Sequence, residues 1–250
     1  MFREHDPAVE IQRRYYTETA QRYEYMHALE GAADPACLAL ITPFLAGAGI
    51  NSILEVGTAN GRGLRNLKTT FPKAFVCGLE PVPALLAQAG PLGHRTGVSL
   101  IQGSGERLPF PDRSFDAVCE FSVLHHVPEP GLVVKEMLRV ARKVVLIADS
   151  NRFGQGPMPA RWLKLALCKA GLWKAFNFIR TRGKGYMITE GDGLAYSYSV
   201  YDSYPLVRAW AGQVIQIPSG PGNSASWFHP LLTSSGVYLF AFRRKLSPNL

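Results

Sequence analysis

Residues 52–63 read SILEVGTANGRG, an apolar run that ends near an acid and breaks into a loop of small residues. Short continuous apolar runs are typical of strands that are buried on both faces of a parallel sheet. Gly57, Ala59 and Gly61 leave room for a ligand to approach the backbone closely. In an open α/β sheet, ligands lie beyond the carboxyl ends of the strands, so this loop is predicted to line a ligand site.

The same pattern recurs along the chain, because short apolar runs alternate with segments of helical periodicity. This alternation predicts an α/β fold with a parallel sheet that helices cover on both faces. The last two apolar runs are predicted to form an antiparallel pair at the sheet edge. The predicted strands are 52–56, 74–80, 97–103, 114–121, 143–149, 213–220 and 235–245, and the helices of the alternating region are 61–71, 83–90 and 131–142.

The chain is predicted to be a single domain in four parts. Residues 1–33 form an N-terminal helical cap, and Asp34 followed by Pro35 is typical of the start of the next helix. Residues 34–149 form the ligand-binding core, residues 150–205 an insertion that acts as a lid or recognises a substrate, and residues 206–250 a closing helix and edge strands. The cap residues with helical spacing are Ile11, Tyr15, Tyr16, Thr19, Tyr23 and Met26.

The composition indicates a globular, cytoplasmic protein. Of the 250 residues 47% are hydrophobic, the N-terminus has no apolar leader run, and no stretch has the roughly 18 apolar residues that a membrane span needs. The four cysteines lie far apart without metal-ligand spacing, so we expect free thiols and no metal. The net charge of +8 raises the question of an acidic partner, such as nucleic acid or an anionic lipid surface. The basic residues look scattered, and we therefore expect no nucleic-acid partner.

Two common nucleotide motifs are excluded at the first loop. A dinucleotide fingerprint needs a small residue five positions after Gly57, where Arg62 stands, and the same test from Gly61 meets Asn66. A phosphate-binding Gly-Lys-Ser/Thr loop is absent. Glu80 ends the second strand at a distance along the chain that suits an acceptor for ribose hydroxyls. The site therefore favours a nucleoside without a pyrophosphate, and S-adenosylmethionine fits this description.

Four segments resemble the motifs of a known family in order and spacing. They are ILEVGTANGRGL at 53–64, GLEP at 78–81, GSGERLPFPDRSFDAVCEFSVLHHV at 103–127 and LRVARKVVLIAD at 138–149. Over about residues 10–150 the sequence resembles the class I S-adenosylmethionine-dependent methyltransferases of the UbiE/Coq5-like (methyltransferase type 11) group. The resemblance implies a Rossmann-like three-layer sandwich, a seven-stranded mostly parallel sheet with an antiparallel last strand, and S-adenosyl-L-methionine as the cofactor.

The resemblance also implies which residues contact the cofactor. Glu55 and the first loop are expected at its methionine end, Glu80 at the ribose hydroxyls and Pro81 beside the adenine. The sequence departs from the family at Ala59, where glycine is usual, and at Ser104, where an aspartate usually accepts from the adenine amino group. The implied cofactor-binding set is Tyr16, Tyr23, Glu55, Gly57, Ala59, Asn60, Gly61, Glu80, Pro81, Ser104, Gly105, Glu106, Glu120 and Phe121.

Candidate catalytic residues follow from the chemistry of methyl transfer, which needs a base only when the acceptor carries a proton. His125 and His126 follow the fourth strand and are possible general bases, although they equally suit packing or cofactor lining. His229 is a third candidate. A metal-assisted variant through Glu120, Asp149 and Asn151 is a further alternative, but their spacing does not match such sites. Tyr186, Tyr196, Tyr198 and Tyr201 are candidates for an acceptor pocket, although ordinary packing explains each of them as well.

The function predicted from the sequence is methyl transfer to a small-molecule acceptor at oxygen, nitrogen or carbon. Two alternatives remain open at this point. One is an RNA or protein methyltransferase, which the positive charge suggests. The other is a non-catalytic partner subunit that binds S-adenosylmethionine.

Overall fold

The computed structural model describes residues 7–26, 35–189, 191–219 and 227–244. The helices are α1 (Pro7–Thr19), α2 (Tyr23–Met26), α3 (Pro35–Gly47), α4 (Arg62–Thr70), α5 (Pro83–Thr96), α6 (Pro130–Val140), α7 (Met158–Lys169), α8 (Trp173–Arg180) and α9 (Val200–Trp210). The strands are β1 (Ser52–Val56), β2 (Phe75–Glu80), β3 (Ser99–Gln102), β4 (Phe115–Phe121), β5 (Ala141–Ser150), β6 (Tyr186–Thr189), β7 (Gly193–Tyr196), β8 (Ala211–Ser219) and β9 (Gly236–Arg243).

Seven strands form one sheet in the order β3-β2-β1-β4-β5-β9-β8. The first five are parallel to one another, and β9 runs antiparallel between β5 and β8. This arrangement confirms the predicted Rossmann-like fold, including the antiparallel closing pair. Every residue of β4 is buried, as expected for a strand whose two faces both carry helices.

Two apolar clusters cover the two faces of the sheet. On one face, Met137 of α6 and Val207 of α9 pack against strand residues such as Val145. On the other face, Leu45 of α3 and Leu67 of α4 pack against Val76 and its neighbours. Helices therefore cover both faces, and the domain has three layers.

Several element boundaries differ from the prediction. The predicted helix 131–142 ends at Val140, because Ala141 is already extended and the chain passes directly into β5. The single helix expected at the N-terminus is divided, since a short 3-10 turn over residues 20–22 separates α1 from α2. Pro35 opens α3 as expected, whereas its partner Asp34 lies outside the described residues.

The insertion contains α7, α8 and a two-stranded sheet of β6 and β7. A turn at Gly171, whose φ is +72°, separates α7 from α8. The closing helix α9 begins at Val200, earlier than predicted, because Ser199 caps it and Asp202 completes a capping box. Within the described residues, no helix has both the length and the apolar character needed to cross a membrane.

An ion pair joins the end of β5 to α9 beneath the insertion. The Arg152 guanidinium is 7% exposed and donates from both terminal nitrogens to the Asp202 carboxylate. Arg152 also donates to the carbonyl oxygen of Ser197 at 2.6 Å. A bidentate pair between a buried arginine and a partly exposed carboxylate therefore joins the beginning of the insertion to its end.

Candidate cofactor and acceptor site

A large cavity lies at the carboxyl ends of β1 and β4, where the strand order reverses. This is the position at which open α/β sheets bind ligands. The cavity measures about 400 Å³, within the usual range for small-molecule sites. Of the residues predicted to contact the cofactor, its wall contains Tyr16, Tyr23, Gly57, Ala59, Glu80, Pro81, Ser104, Gly105, Glu106 and Phe121, and His126 lies beside them.

The loop after β1 follows a left-handed path. Gly57, Ala59 and Gly61 have φ values of +75°, +48° and +81°. A Cβ on Gly57 would lie 2.4 Å from a methyl carbon of Val123, so this position has no room for a side chain. Ala59 holds a conformation that favours glycine, which explains why glycine is the usual residue of the family there. Gly61 is the N-cap of α4 but does not line the cavities.

Glu55 is buried beneath this loop, with only 3% of its surface exposed. Its carboxylate accepts a hydrogen bond from the Thr58 hydroxyl at 3.1 Å. Burial raises the pKa of Glu55 to about 8. Glu55 and Asn60 line a small side pocket that opens next to the main cavity.

Gly63 is a site residue that the sequence analysis missed. A Cβ at Gly63 would lie 2.0 Å from a carboxylate oxygen of Glu55, so only glycine allows α4 to pass so close to this acid. The signal was visible in GRG, since a second glycine at the start of a helix often permits close packing.

Glu80 ends β2 and faces the cavity from a largely buried position. Its two carboxylate oxygens accept hydrogen bonds from the backbone N–H groups of Ala59 and Val82, each at 2.9 Å. Burial raises the pKa of Glu80 to about 7, against the opposing effect of these two bonds. The remaining lone pairs of the carboxylate are available to hydroxyl groups in the cavity.

Ser104, Gly105 and Glu106 form the far end of the cavity after β3. The Ser104 hydroxyl accepts a hydrogen bond from the backbone N–H of Glu106 at 3.3 Å. A Cβ on Gly105 would lie 2.9 Å from Val56, so the loop passes tightly over β1. The Glu106 carboxylate is thus the acid nearest in sequence to the position where the family usually has aspartate.

The N-terminal helix closes the cavity from above. The Tyr16 ring packs edge-on against Tyr23 and His126, with ring centroids 5.9 and 5.8 Å apart. The Tyr16 hydroxyl lies 3.0 Å from Nε2 of His126. Nδ1 of the same ring lies 2.7 Å from the Leu194 carbonyl oxygen, which can only accept, so we place the ring proton on Nδ1. Nε2 then accepts from Tyr16.

A second cavity of about 280 Å³ lies on the other side of the two histidines. His125 lines this second cavity and His126 lines the first, although they are neighbours in sequence. Asp192, from the loop before β7, lies between them, 3.4 Å from His125 Nε2 and 3.2 Å from His126 Nε2. Other walls of the second cavity come from the insertion and include Arg152, Arg180, Tyr186, Tyr196 and Tyr198.

Charges around His125 determine its protonation. Its Nδ1 lies 2.7 Å from Asp149, whose carboxylate is fully buried. Burial alone lowers the pKa of His125, but Asp149 and Asp192 outweigh it and raise this pKa well above its ordinary value. Burial likewise opposes ionisation of Asp192, but the hydrogen bond from His125 acts against this effect and helps to hold the pKa of Asp192 well below its usual range. The two carboxylates therefore favour the cationic form of the His125 ring.

Three side chains of this cluster could also hold a metal ion. Among the described residues, His125, His126 and Asp192 form a group whose ligand atoms lie within 4.8 Å of one another. The alternative metal set from the sequence is not assembled. Both Glu120 oxygens accept backbone N–H groups, and the Asn151 amide donates to the carbonyls of Leu231 and Ser234.

Some sequence candidates lie away from the cavities. Glu120 is fully buried and its oxygens bind the backbone of Val123 and Ala148, whereas the next residue, Phe121, faces the cavity. Successive strand residues point to opposite sides, which separates the two. His229 contacts the Thr233 hydroxyl and does not line the two large cavities. The Tyr201 hydroxyl donates to Gln216 rather than facing the second cavity.

Gln12 is a further site residue that the sequence did not indicate. Its amide oxygen accepts from the backbone N–H of Leu194 at 2.6 Å, which joins α1 to the insertion beside His126. It lies on the wall of the cavity. Its partner is 182 residues away along the chain, so no local pattern could reveal the contact.

Comparison with known proteins agrees with this geometry. Residues 54–147 match the family model described as a methyltransferase domain. An uncharacterized methyltransferase from Mycobacterium avium (strain 104) is 32% identical over 178 residues, which are 70% of this chain and 68% of that protein. An uncharacterized methyltransferase from Mycolicibacterium gilvum is 29% identical over 180 residues, 67% of this chain and 70% of the relative.

Solved structures share the fold at low sequence identity. A S-adenosylmethionine-dependent methyltransferase from Thermotoga maritima, titled a possible histamine N-methyltransferase, has a TM-score of 0.59 at 17% identity and covers 95% of this chain and 100% of its own. Magnesium protoporphyrin IX methyltransferase from Synechocystis PCC 6803, with bound SAH, has a TM-score of 0.58 at 13% identity and covers 94% and 100%. With its motifs, its sheet order and these relatives, the chain belongs to the class I S-adenosylmethionine-dependent methyltransferases.

Proposed function

We propose that the protein transfers the methyl group of S-adenosylmethionine to a small-molecule acceptor bound in the second cavity. The observation that carries this proposal is that Asp192 lines both the second cavity and the small side pocket beside the first cavity, while His126 lines that side pocket and the first cavity. A cavity of about 280 Å³ suits a small ring or chain rather than a folded macromolecule. Methyl transfer needs the acceptor and the cofactor in line, and two adjoining cavities provide such an arrangement.

The residues of the first cavity would hold the cofactor along its length. Glu80 would accept from the ribose hydroxyls, while Ser104 and Glu106 would face the adenine. Glu55 and Asn60 would lie at the amino-acid end, where a carboxylate near the amino group is favourable. The bound cofactor supplies a sulfonium-activated methyl group, so no protein nucleophile is required.

The two histidines would have different tasks. His126 has an acceptor nitrogen on the cofactor side and would be the general base if the acceptor carries a proton. His125 lies between two carboxylates that favour its cationic form and would instead hold Asp192 beside the second cavity. A group that is already protonated cannot remove a proton, so His125 is not the base in this proposal.

The acceptor cavity has mixed chemistry that indicates an aromatic or hydroxylated ligand. Tyr186 and Tyr196 pack edge-on with centroids 5.9 Å apart and offer both ring faces and hydroxyls. Arg180 at the rim would favour an acceptor with an acidic or oxygen-rich group.

Two measurements test the proposal in sequence. Calorimetry with S-adenosylhomocysteine should show binding. If no binding is seen at millimolar ligand, the proposal that the protein is a methyltransferase enzyme is refuted. A labelled-methyl screen would then offer the full chain a metabolite extract, bulk RNA and a protein mixture. Label in the small-molecule fraction supports the proposal, whereas label in RNA or protein overturns it.

Matched histidine variants test the assignment of roles. We expect His126→Gln to lower kcat by at least about 100-fold, since general bases contribute rate factors of this size. We expect His125→Gln to raise KM for the acceptor more than it lowers kcat, because it disturbs Asp192 without removing the base. If both variants lower kcat equally, the proposed division of roles between His125 and His126 is wrong.

A further inference from the structure

The positive charge of the chain is concentrated in the insertion, which corrects the expectation that basic residues are scattered. Residues 151–189 contain eight lysines and arginines and no aspartate or glutamate. The other 19 basic residues equal the 19 acidic ones, so the whole net charge of +8 belongs to this segment. An isolated cationic segment on a neutral domain points to an anionic partner of the segment itself.

The same segment has apolar helices that the rest of the chain covers only in part. None of the 12 residues of α7 is buried, although α7 includes Trp162, Leu163 and Leu167. In α8, only Asn177 is buried, while Phe178 is 58% and Ile179 is 77% exposed. A helix normally buries an apolar face fully against its own domain, whereas the inward side chains Leu167 and Trp173 are only half-buried.

The exposed side chains are large and occur in both helices of the α7–α8 hairpin and in the turn between them. Trp162 is 43% and Leu163 is 52% exposed, and Leu172 at the turn is 55% exposed. Trp162 also packs edge-on against Phe228, with centroids 5.5 Å apart, and the neighbouring Trp227 is 88% exposed. Apolar patches of this extent on a soluble domain mark an interaction surface.

From these two observations we infer that the α7–α8 hairpin docks on an anionic lipid surface. Interfacial helices combine exposed Trp, Phe and Leu with a surrounding set of Lys and Arg, and bind by apolar insertion plus attraction to acidic headgroups. Lys169, Lys174, Arg182 and Lys184 are all exposed around the apolar side chains. Bare phosphate backbones would use the cations but leave Leu163 and Ile179 in water, so a lipid surface accounts for more of the observations than a nucleic acid does.

Docking would also place the acceptor cavity at the membrane surface, and this step rests on the proposed function. The segment from Arg180 to Met187 contributes to both the hairpin region and the wall of the second cavity. An acceptor that partitions into lipid could then enter the cavity directly. The docking itself does not depend on methyl transfer.

Sedimentation with vesicles tests the inference on the full chain. We expect the protein to bind vesicles that contain phosphatidylglycerol at least tenfold more tightly than pure phosphatidylcholine vesicles. Binding should weaken as salt rises, and tryptophan emission should shift to the blue as Trp162 and Trp227 leave water. Equal binding to both vesicle types, or none to either, overturns the inference.

Two double charge-reversal variants distinguish vesicle binding by the hairpin surface from binding that depends only on the net charge of the protein. Lys174→Glu with Lys184→Glu should reduce vesicle binding at least tenfold. Lys73→Glu with Lys135→Glu makes the same change in net charge at exposed positions outside the hairpin and should have less than a threefold effect. If both pairs weaken binding equally, the surface is not the hairpin.

A third variant tests whether the apolar side chains contribute to vesicle binding and whether a different partner binds the hairpin. Leu163→Ser with Ile179→Ser should also lower vesicle binding, and Leu132→Ser on α6 is its control. If the chain forms a dimer that this variant disrupts while vesicles do not bind, the surface belongs to a second copy. Tighter binding to RNA than to vesicles would assign it to nucleic acid. Calorimetry with S-adenosylhomocysteine is run on every variant. A variant that still binds this ligand is folded, so its loss of vesicle binding concerns the docking surface and not the proposed function.

Discussion

Replacing Glu55 by glutamine should change how the stability of the protein depends on pH. Burial raises the pKa of this carboxyl from 4.5 to about 8 in the folded chain. Below about pH 4.5 the group is protonated in both the folded and the unfolded chain, so its ionisation does not change the free energy of unfolding. Between these values the unfolded chain ionises while the folded chain keeps its proton, so folding stability falls as pH rises.

The size of the effect follows from the shift. Each pKa unit corresponds to about 1.4 kcal/mol, so the penalty grows by about 3 kcal/mol from about pH 5 to about pH 8. Glutamine has nearly the same shape, keeps an oxygen for the Thr58 hydroxyl and has no charge to bury. Glu55→Gln should therefore gain stability relative to the native protein as pH rises, by up to this amount.

Urea unfolding at about pH 5 and about pH 8, without cofactor, measures the difference. Contributions from Glu80 and other buried acids are common to both proteins and cancel to first order. Glu18→Gln, at an exposed position of α1, is the control and should leave the pH dependence unchanged. A stability difference between Glu55→Gln and native protein that is the same at both pH values, within about 0.5 kcal/mol, would refute the argument.

Three further substitutions have defined outcomes. Gly57→Ala should lower the free energy of unfolding by more than about 1 kcal/mol and weaken binding of S-adenosylhomocysteine, whereas Gly47→Ala, which meets no atom within 4 Å, should do neither. Ser104→Asp should tighten S-adenosylhomocysteine about fivefold by calorimetry, since a charged acceptor strengthens the bond to an amino group; weaker binding would contradict the adenine assignment. Asp202→Ala should cost about 2 kcal/mol in chemical denaturation, because the buried Arg152 loses a charged partner that is itself partly exposed, and a loss below about 0.5 kcal/mol would show that the pair is not structural.

The sheet could be predicted because the sequence pattern of each strand lies within a few consecutive residues. The strands of the large sheet are short apolar runs, most of them next to a segment with helical spacing, and β1 to β5 with the closing pair follow from that pattern. Boundaries were less predictable where two elements join without a loop. At Ala141, a valine-rich helix continues directly into a valine-rich strand, and no residue type marks the change.

The first cavity was largely predictable from the sequence and the second was not. Loops at the ends of consecutive strands meet at one sheet edge, so Gly57, Glu80 and Ser104 fall on one cavity. Asp192 belongs to a Gly-Asp-Gly turn that resembles any surface loop in sequence. It reaches the histidines only because the insertion folds back on α1, and that depends on contacts such as the one between Gln12 and Leu194.

The two adjacent histidines sit on a short 3-10 turn, residues Leu124–His126, with consequences for how ligands communicate. Consecutive residues of such a turn point about 120° apart, which is why one ring faces each cavity. A ligand that displaces this turn from one side changes the shape of the other side. Thermodynamic linkage requires any such effect to be mutual: if the acceptor and the cofactor bind as proposed, each would alter the affinity for the other by the same factor.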